Sequence, residues 1–134
     1  MTSTADRPLV LVVEDDPDTR DMYAMFLDLE GFAVMTAATA DSAFDIAVAH
    51  QPRVVVTDLL LPGGPTGADL CRRLHDDWRT AHIPALLLTG SSRDRDVAGA
   101  LEAGCAAIRI KPHLPESLLS DIREMIGRGE RHLG

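Results

Sequence analysis

The sequence predicts an α/β domain built on one doubly wound parallel sheet, with helices covering both faces. Short runs of aliphatic and β-branched residues alternate with longer segments of roughly 3.6-residue apolar periodicity. The short runs are almost continuously hydrophobic, which is typical of strands buried on both faces. The length of 134 residues, with 46% hydrophobic and 25% charged residues, suits a single globular domain. Together these observations indicate five consecutive units of one strand and one helix.

The strands are predicted at the five apolar runs. The first run, LVLVV, ends directly before three acidic residues, and the third, VVVTD, ends in a carboxylate. The predicted strands are Leu9–Val13, Ala33–Thr36, Val54–Thr57, Ala85–Leu88 and Ala106–Ile110.

The helices are predicted between and after these runs, from their start and stop signals. In the first helix, Asp16 is a good N-cap, Pro17 suits the first helical position and Gly31 is a typical C-terminal stop. Later stops are expected at Pro52, Gly104 and Gly127. The predicted helices are Pro17–Glu30, Asp41–His50, Gly67–Trp78, Arg93–Ala103 and Pro115–Ile126.

The net charge and the length of the apolar runs argue against several classes of function. The net charge of -8 argues against a general affinity for nucleic acid or anionic lipid, and it favours a cation or a basic partner. The apolar runs are far shorter than the roughly 20 residues of a membrane span, so no membrane partner is expected and the predicted location is the cytoplasm.

We expect a single domain at residues 8–127, a disordered N-terminal tail at 1–7, a C-terminal tail at 128–134 and no output domain. The sequence does not indicate an oligomeric state.

Polar side chains follow four of the predicted strands. Asp15 and Asp16 follow the first strand, Asp58 ends the third, Thr89 ends the fourth and Lys111 ends the fifth. In a doubly wound sheet the carboxyl ends of the strands form the ligand-binding edge. The sequence therefore predicts that these five side chains converge on one pocket.

The chemistry of this set indicates phosphoryl transfer with a divalent metal. Clustered carboxylates require a cation, and an all-oxygen cluster with few protein ligands suits Mg²⁺. An aspartate can attack a phosphoryl group when a metal and an ammonium group neutralise the transferring oxygens. Lys111 would supply the ammonium, and Thr89 would donate its hydroxyl to a phosphoryl oxygen. Each residue also has a purely structural interpretation, and for Asp16 this is the helix N-cap alone.

The stretches EDDP, VVVTDLLLP, LLLTG and IKP, in this order, resemble the receiver domain of bacterial two-component response regulators. The resemblance covers nearly the whole chain. It implies the flavodoxin-like fold, with five parallel strands in the order 2-1-3-4-5 and five helices. The site that it implies consists of Asp58 as phosphoacceptor, Asp16 as a direct Mg²⁺ ligand, Asp15 as a ligand through water, the backbone carbonyl of Leu60 as a further ligand, and Thr89 and Lys111 at the phosphoryl group.

The resemblance also implies partners. A histidine kinase or a histidine phosphotransfer protein would donate the phosphoryl group, and modification of Asp58 would switch the interaction with an unknown output protein. The chain would catalyse its own phosphorylation and dephosphorylation, so the term enzyme would apply only loosely.

The sequence departs from the family pattern in two places. The turn after the phosphoacceptor, at residues 62–67, is one residue longer than usual. Ile108 stands where receivers usually carry Tyr or Phe, and a β-branched side chain cannot swing a ring between two positions. We therefore expect the signal to leave through the backbone of Gly90–Asp94 and of residues 62–67.

Three other classes remain as alternatives. A pseudo-receiver would keep the fold as an interaction module and would not turn over phosphate. The presence of all five site residues argues against it, and the missing aromatic ring leaves it open. A phosphatase of the haloacid dehalogenase type needs a second aspartate where this chain has Leu60. A flavodoxin-like cofactor binder needs a phosphate loop after the first strand, where EDDPDT would repel phosphate.

Overall fold

A computed structural model describes residues 7–90 and 94–133. The elements, in chain order, are β1 Leu9–Val13, α1 Pro17–Leu29, β2 Ala33–Ala37, α2 Ala40–His50, β3 Val54–Asp58, α3 Gly67–Asp76, β4 Ala85–Thr89, α4 Asp94–Glu102, β5 Ala107–Ile110 and α5 Pro115–Leu133. All paired strands are parallel, and the sheet order is β2-β1-β3-β4-β5. The predicted fold class and strand order are confirmed.

The three central strands, β1, β3 and β4, are mainly hydrophobic because both faces of the sheet are covered there. Helices α1 and α5 pack on one face, where Val10 and Val12 of β1 meet Leu27 and Ile122. Helices α2, α3 and α4 pack on the other face, where Leu11 and Val13 belong to a second core cluster. Alternate residues of one strand therefore serve two separate cores, as the pleat of a strand requires.

Helix α1 begins and ends at the predicted signals. The Asp16 carboxylate accepts a hydrogen bond from the backbone N–H of Thr19, and Pro17 occupies the first turn. Gly31 has φ +99°, a left-handed conformation that glycine adopts without steric cost.

The C-terminal helix is longer than predicted. Helix α5 continues past Ile126 to Leu133, so Gly127 lies inside it and does not end it. A glycine within a helix costs only about 1 kcal/mol relative to alanine, and neighbouring residues can compensate that cost. Residues 1–6 and 134 of the two predicted tails lie outside the described residues.

Arg7, at the end of the predicted N-terminal tail, contacts the folded domain. The Arg7 guanidinium donates to the Phe32 carbonyl at 2.5 Å and pairs with the Asp28 carboxylate at 2.7 Å. These contacts attach the chain before β1 to the end of α1.

Among the described residues, no helix combines the length and the apolar character that a membrane span needs.

Tight packing fixes the connection from β3 to α3. Thr66 and Asp69 form a capping box at the start of α3, and the Gly67 N–H donates to the Leu59 carbonyl at 2.7 Å. A Cβ atom on Gly67 would lie 1.9 Å from the backbone oxygen of Asp58. Only glycine therefore lets α3 start this close to the end of β3.

Candidate functional site

The candidate site lies at the carboxyl edge of the sheet, beside the point where the strand order reverses between β1 and β3. Asp58 is the last residue of β3, and the whole residue is only 6% exposed. The Lys111 ammonium follows β5 and lies 2.7 Å from Oδ1 of Asp58. The fold thus brings an ammonium group from one end of the sheet to a carboxylate near its centre.

Two opposing effects act on the Asp58 carboxyl group. Burial raises its pKa, and the hydrogen bond and positive charge of Lys111 lower it. Burial is the larger effect, so the pKa of Asp58 lies above the ordinary aspartate range. Ionisation of Asp58 therefore lowers the free energy of unfolding, and a bound cation would reduce this loss of stability.

This cost leads to a prediction about stability. In buffer without divalent metal, Asp58→Asn should stabilise the fold by about 1 kcal/mol near neutral pH, because the buried charge is removed. A carboxyl group with a raised folded-state pKa destabilises the protein as pH rises from its ordinary pKa, about 3.9, through the folded-state value. The stabilisation by Asp58→Asn should therefore disappear in acid, where the wild-type Asp58 carboxyl group is protonated in both the folded and the unfolded protein.

Thermal unfolding of wild type and Asp58→Asn across the acid-to-neutral range measures this difference. A variant that is less stable than wild type at neutral pH would show that the Lys111 pair outweighs burial.

Two further carboxylates adjoin Asp58. The carboxylate oxygens of Glu14, Asp15 and Asp58 lie within 4.8 Å of one another. Glu14 is only 6% exposed, and its N–H donates to the Ala37 carbonyl at 2.9 Å, which extends the pairing of β1 with β2 by one residue. Three carboxylates beside one ammonium leave an excess of negative charge. An oxygen-only group of this kind suits a hard divalent cation such as Mg²⁺.

Asp16 has a different position from the one expected of a metal ligand. It is not a member of the acidic group that the described residues form, which contains Glu14 instead. Its carboxylate accepts from the Thr19 hydroxyl at 2.5 Å and from the Thr19 N–H at 3.1 Å. These hydrogen bonds, that from the hydroxyl first, hold the pKa of Asp16 below its usual value. The carboxylate is thus engaged as the N-cap of α1.

Sequence reasoning missed Glu14, although the signal for it was present. Strand β1 ends at Val13, so the next two residues are the ones nearest the edge of the sheet, and the third, Asp16, is the N-cap of α1. The pair Asp16-Pro17 is itself an N-cap signature, which already accounts for the third carboxylate.

The other predicted residues lie at the end of β4, on β5 and in the segments that follow β3 and β4. Thr89 is the last residue of β4 and is 3% exposed, and its carbonyl accepts from the Lys111 N–H at 2.7 Å. Leu60, two residues after Asp58, is 77% exposed. Ile108 is half-buried and packs against the core on the side of α2, α3 and α4. Of the expected signal-carrying segment Gly90–Asp94, residues 91–93 lie outside the described residues.

Comparison with known proteins places this geometry in a family. The family model of the response regulator receiver domain matches residues 10–123. The DNA-binding dual master transcriptional regulator RpaA of Synechocystis is 32% identical over 124 residues, which cover 92% of this chain and 51% of that protein. The chain thus spans about half the length of this relative.

Solved structures agree with the family match. A CheY-like receiver domain protein from Methanospirillum hungatei superposes with a TM-score of 0.87 at 26% identity, over 94% of this chain and 98% of that chain. The beryllofluoride-activated N-terminal receiver domain of Klebsiella pneumoniae RstA gives a TM-score of 0.78 at 30% identity, over 88% and 97%. With the family model matching most of its length, the chain belongs to the response regulator receiver domain family.

Proposed function

We propose that this receiver accepts a phosphoryl group on Asp58 in a Mg²⁺-dependent reaction and thereby switches its interaction with a protein partner. The donor would be the phosphohistidine of a histidine kinase or of a histidine phosphotransfer protein. The observation that carries the proposal is the 2.7 Å contact of Lys111 with Asp58, beside the acidic group of Glu14 and Asp15. This arrangement provides a nucleophile, a fixed cation and a cation-binding cluster together.

The proposed step is an in-line displacement at phosphorus. A carboxylate oxygen of Asp58 forms a bond to phosphorus while the phosphorus-nitrogen bond of the donor breaks, and its electron pair leaves with the imidazole nitrogen. The Lys111 ammonium stabilises negative charge on the phosphoryl oxygens, and the Thr89 hydroxyl donates a hydrogen bond to one of them.

Glu14, Asp15 and Asp58 are the residues that would hold Mg²⁺, with the backbone carbonyl of Leu60 as a further ligand. The bound ion would neutralise the phosphoryl oxygens and reduce repulsion among the carboxylates. We propose Asp15 as a direct ligand and Glu14 as a ligand through water, and we assign Asp16 to the helix cap.

Intact-mass spectrometry with a small acyl-phosphate donor tests the proposed function. In the presence of Mg²⁺ the wild-type chain should gain the mass of one phosphoryl group, and the adduct should be labile to base. Chelation of the metal should prevent the gain. A chain that stays unmodified at saturating donor and metal would instead favour the pseudo-receiver, the second candidate, for which Ile108 in place of an aromatic residue is the supporting observation.

The proposed ligand set predicts different effects for neighbouring aspartates. Asp15→Asn should weaken Mg²⁺ binding roughly tenfold or more, because it removes a charged ligand. Asp16→Asn is the matched control: it removes the same charge one residue later, and an amide oxygen can still cap α1, so metal affinity should change much less. Titration of each variant with Mg²⁺, followed by NMR or calorimetry, measures the two affinities. A larger loss in Asp16→Asn would restore Asp16 as the metal ligand.

Leu60, two residues after Asp58, leads us to predict a long-lived phosphorylated state. Hydrolysis of the acyl phosphate needs an in-line water, and the apolar Leu60 side chain cannot orient it. Leu60→Asn and Leu60→Glu should accelerate the decay roughly tenfold, since each supplies a hydrogen-bonding group. Decay can be followed by loss of the phosphoryl mass after the donor is removed. Equal lifetimes in Leu60→Met, Leu60→Asn and wild type would rule out this role.

The proposed output partner is a protein and not a nucleic acid. RpaA is named as DNA-binding, but this chain corresponds to about half of that protein. The net charge of -8 opposes contact of this chain with the phosphate backbone. A basic or neutral protein surface is the partner that this charge favours.

A further inference from the structure

A second group of polar side chains involves the residues that flank Lys111 in the sequence. Asp121, on α5, accepts hydrogen bonds from Arg109, which lies two residues before Lys111. Nε of Arg109 lies 3.1 Å from Oδ2 of Asp121, and Nη2 lies 3.1 Å from Oδ1. Nε2 of His113, which lies two residues after Lys111, is 2.8 Å from the same Oδ2. One carboxylate thus contacts residues on both sides of the site lysine.

These contacts are largely shielded from water. The side chains of His113 and Asp121 are each 14% exposed, whereas the side chain of Arg109 is 39% exposed. The Tyr23 hydroxyl of α1 donates to the His113 carbonyl at 3.4 Å, which adds a weak contact to the same backbone. A bidentate arginine and a largely buried histidine restrict the Asp121 carboxylate to one geometry.

Lys111 needs such support because its side chain is long and flexible. Its ammonium acts as a point charge on a four-carbon stem, and holding it in one place costs rotamer entropy. The side chain is 40% exposed, so core packing alone does not fix it. Its backbone is held by the 2.7 Å bond from its N–H to the Thr89 carbonyl, and the Asp121 contacts hold the residues at either side.

We propose that Asp121 is a positioning residue for phosphoryl transfer, acting with Arg109 and His113 to hold the chain around Lys111 so that the ammonium stays at Asp58. This role rests on the proposed function of Asp58. It also gives α5 a direct connection to the site, through one carboxylate, in a receiver whose Ile108 cannot act as a rotating aromatic switch.

The first measurement does not depend on phosphorylation. In Mg²⁺-free buffer, NMR titration of the Asp58 carboxyl group should show a higher pKa in Asp121→Asn than in wild type, because Lys111, which lowers that pKa, is less well held. The direct electrostatic effect of Asp121→Asn would lower the pKa of Asp58 instead, since removing a nearby negative charge favours ionisation of Asp58. An unchanged or lower pKa would overturn the positioning role.

The second measurement is the phosphorylation rate. At saturating donor, Asp121→Ala should slow phosphorylation roughly tenfold and leave Mg²⁺ affinity within about twofold. In a Lys111→Ala background the same change should have almost no further effect, because the two residues act as one unit. Glu124→Gln is the control: it removes another α5 carboxylate, which pairs with Arg128 on the surface, and should match wild type.

The outcomes separate the two proposals. A wild-type chain that takes no phosphoryl group while Asp121→Asn raises the pKa of Asp58 would reject the proposed function and keep the positioning of Lys111. A phosphorylated wild type with an equal rate in Asp121→Ala would reject the positioning role alone. An equal slowing in the presence and absence of Lys111 would also reject it, because the effect would then be general destabilisation. Asp121→Asn, which preserves shape, serves where Asp121→Ala fails to fold.

Discussion

Replacing Asp58 by asparagine should abolish the Mg²⁺-dependent adduct formed with an acyl-phosphate donor or with beryllofluoride. The amide nitrogen is not nucleophilic and the amide oxygen carries no formal charge, so the acyl phosphate cannot form. The fold should survive, because the substitution preserves shape and removes the cost of a buried charge. Intact-mass spectra before and after donor addition measure the phosphoryl adduct, and fluorine NMR detects the beryllofluoride complex.

Asp21→Asn is a suitable control for this variant, since it removes an exposed carboxylate from α1 and leaves the site unchanged. It should be labelled as fast as wild type. A labile phosphoryl adduct of undiminished yield in Asp58→Asn would show that another residue is the acceptor, and the assignment of the site would fail.

Replacing Gly67 by alanine should destabilise the fold by roughly 3 kcal/mol, which is at the upper end of the usual cost of overpacking. The new Cβ would lie 1.9 Å from the backbone oxygen and 2.8 Å from the carbonyl carbon of Asp58. Neither atom can rotate away as a side chain would, so the start of α3 must move. Because that movement also displaces Asp58, the phosphorylation rate should fall with stability.

The matched control is Gly99→Ala in α4, where an added Cβ meets nothing within 4 Å. Alanine is the better helix former there, so this variant should be about 0.5–1 kcal/mol more stable than wild type. Urea unfolding of both variants gives the two free energies. Equal stability of Gly67→Ala and wild type would mean that the connection from β3 to α3 adapts without strain.

The sequence predicts most of the fold because each local signal agrees with the final packing. The runs at β1, β3 and β4 are hydrophobic apart from Thr57, Asp58 and Thr89 at their carboxyl ends, and these strands are buried on both faces. The end of α1 was predictable from Gly31, which adopts a positive φ. Gly127 misled the prediction of α5 because a glycine can stop a helix and can also lie within one. Periodicity alone gives the alternation of strands and helices, while the strand order required the family resemblance.

The candidate site was predictable only in part. Strand ends bring Asp58, Thr89 and Lys111 to one edge of a parallel sheet, so their proximity follows from topology. The choice among three consecutive acidic residues does not follow from topology, because it depends on where β1 ends and α1 begins. The contacts of Asp121 could not be predicted, because Arg109, His113 and Asp121 have no motif spacing and isolated charges are usually solvated.

Mapping the phosphorylated residue tests the central claim most directly. Borohydride reduces an aspartyl phosphate to homoserine, which peptide mass spectrometry locates in the chain. After treatment of wild type with an acyl-phosphate donor, homoserine should appear at position 58 when Mg²⁺ is present and should be absent after chelation. Homoserine at Asp15 or Asp16, a phosphoryl group on a histidine, or labelling that is independent of the metal would contradict the account.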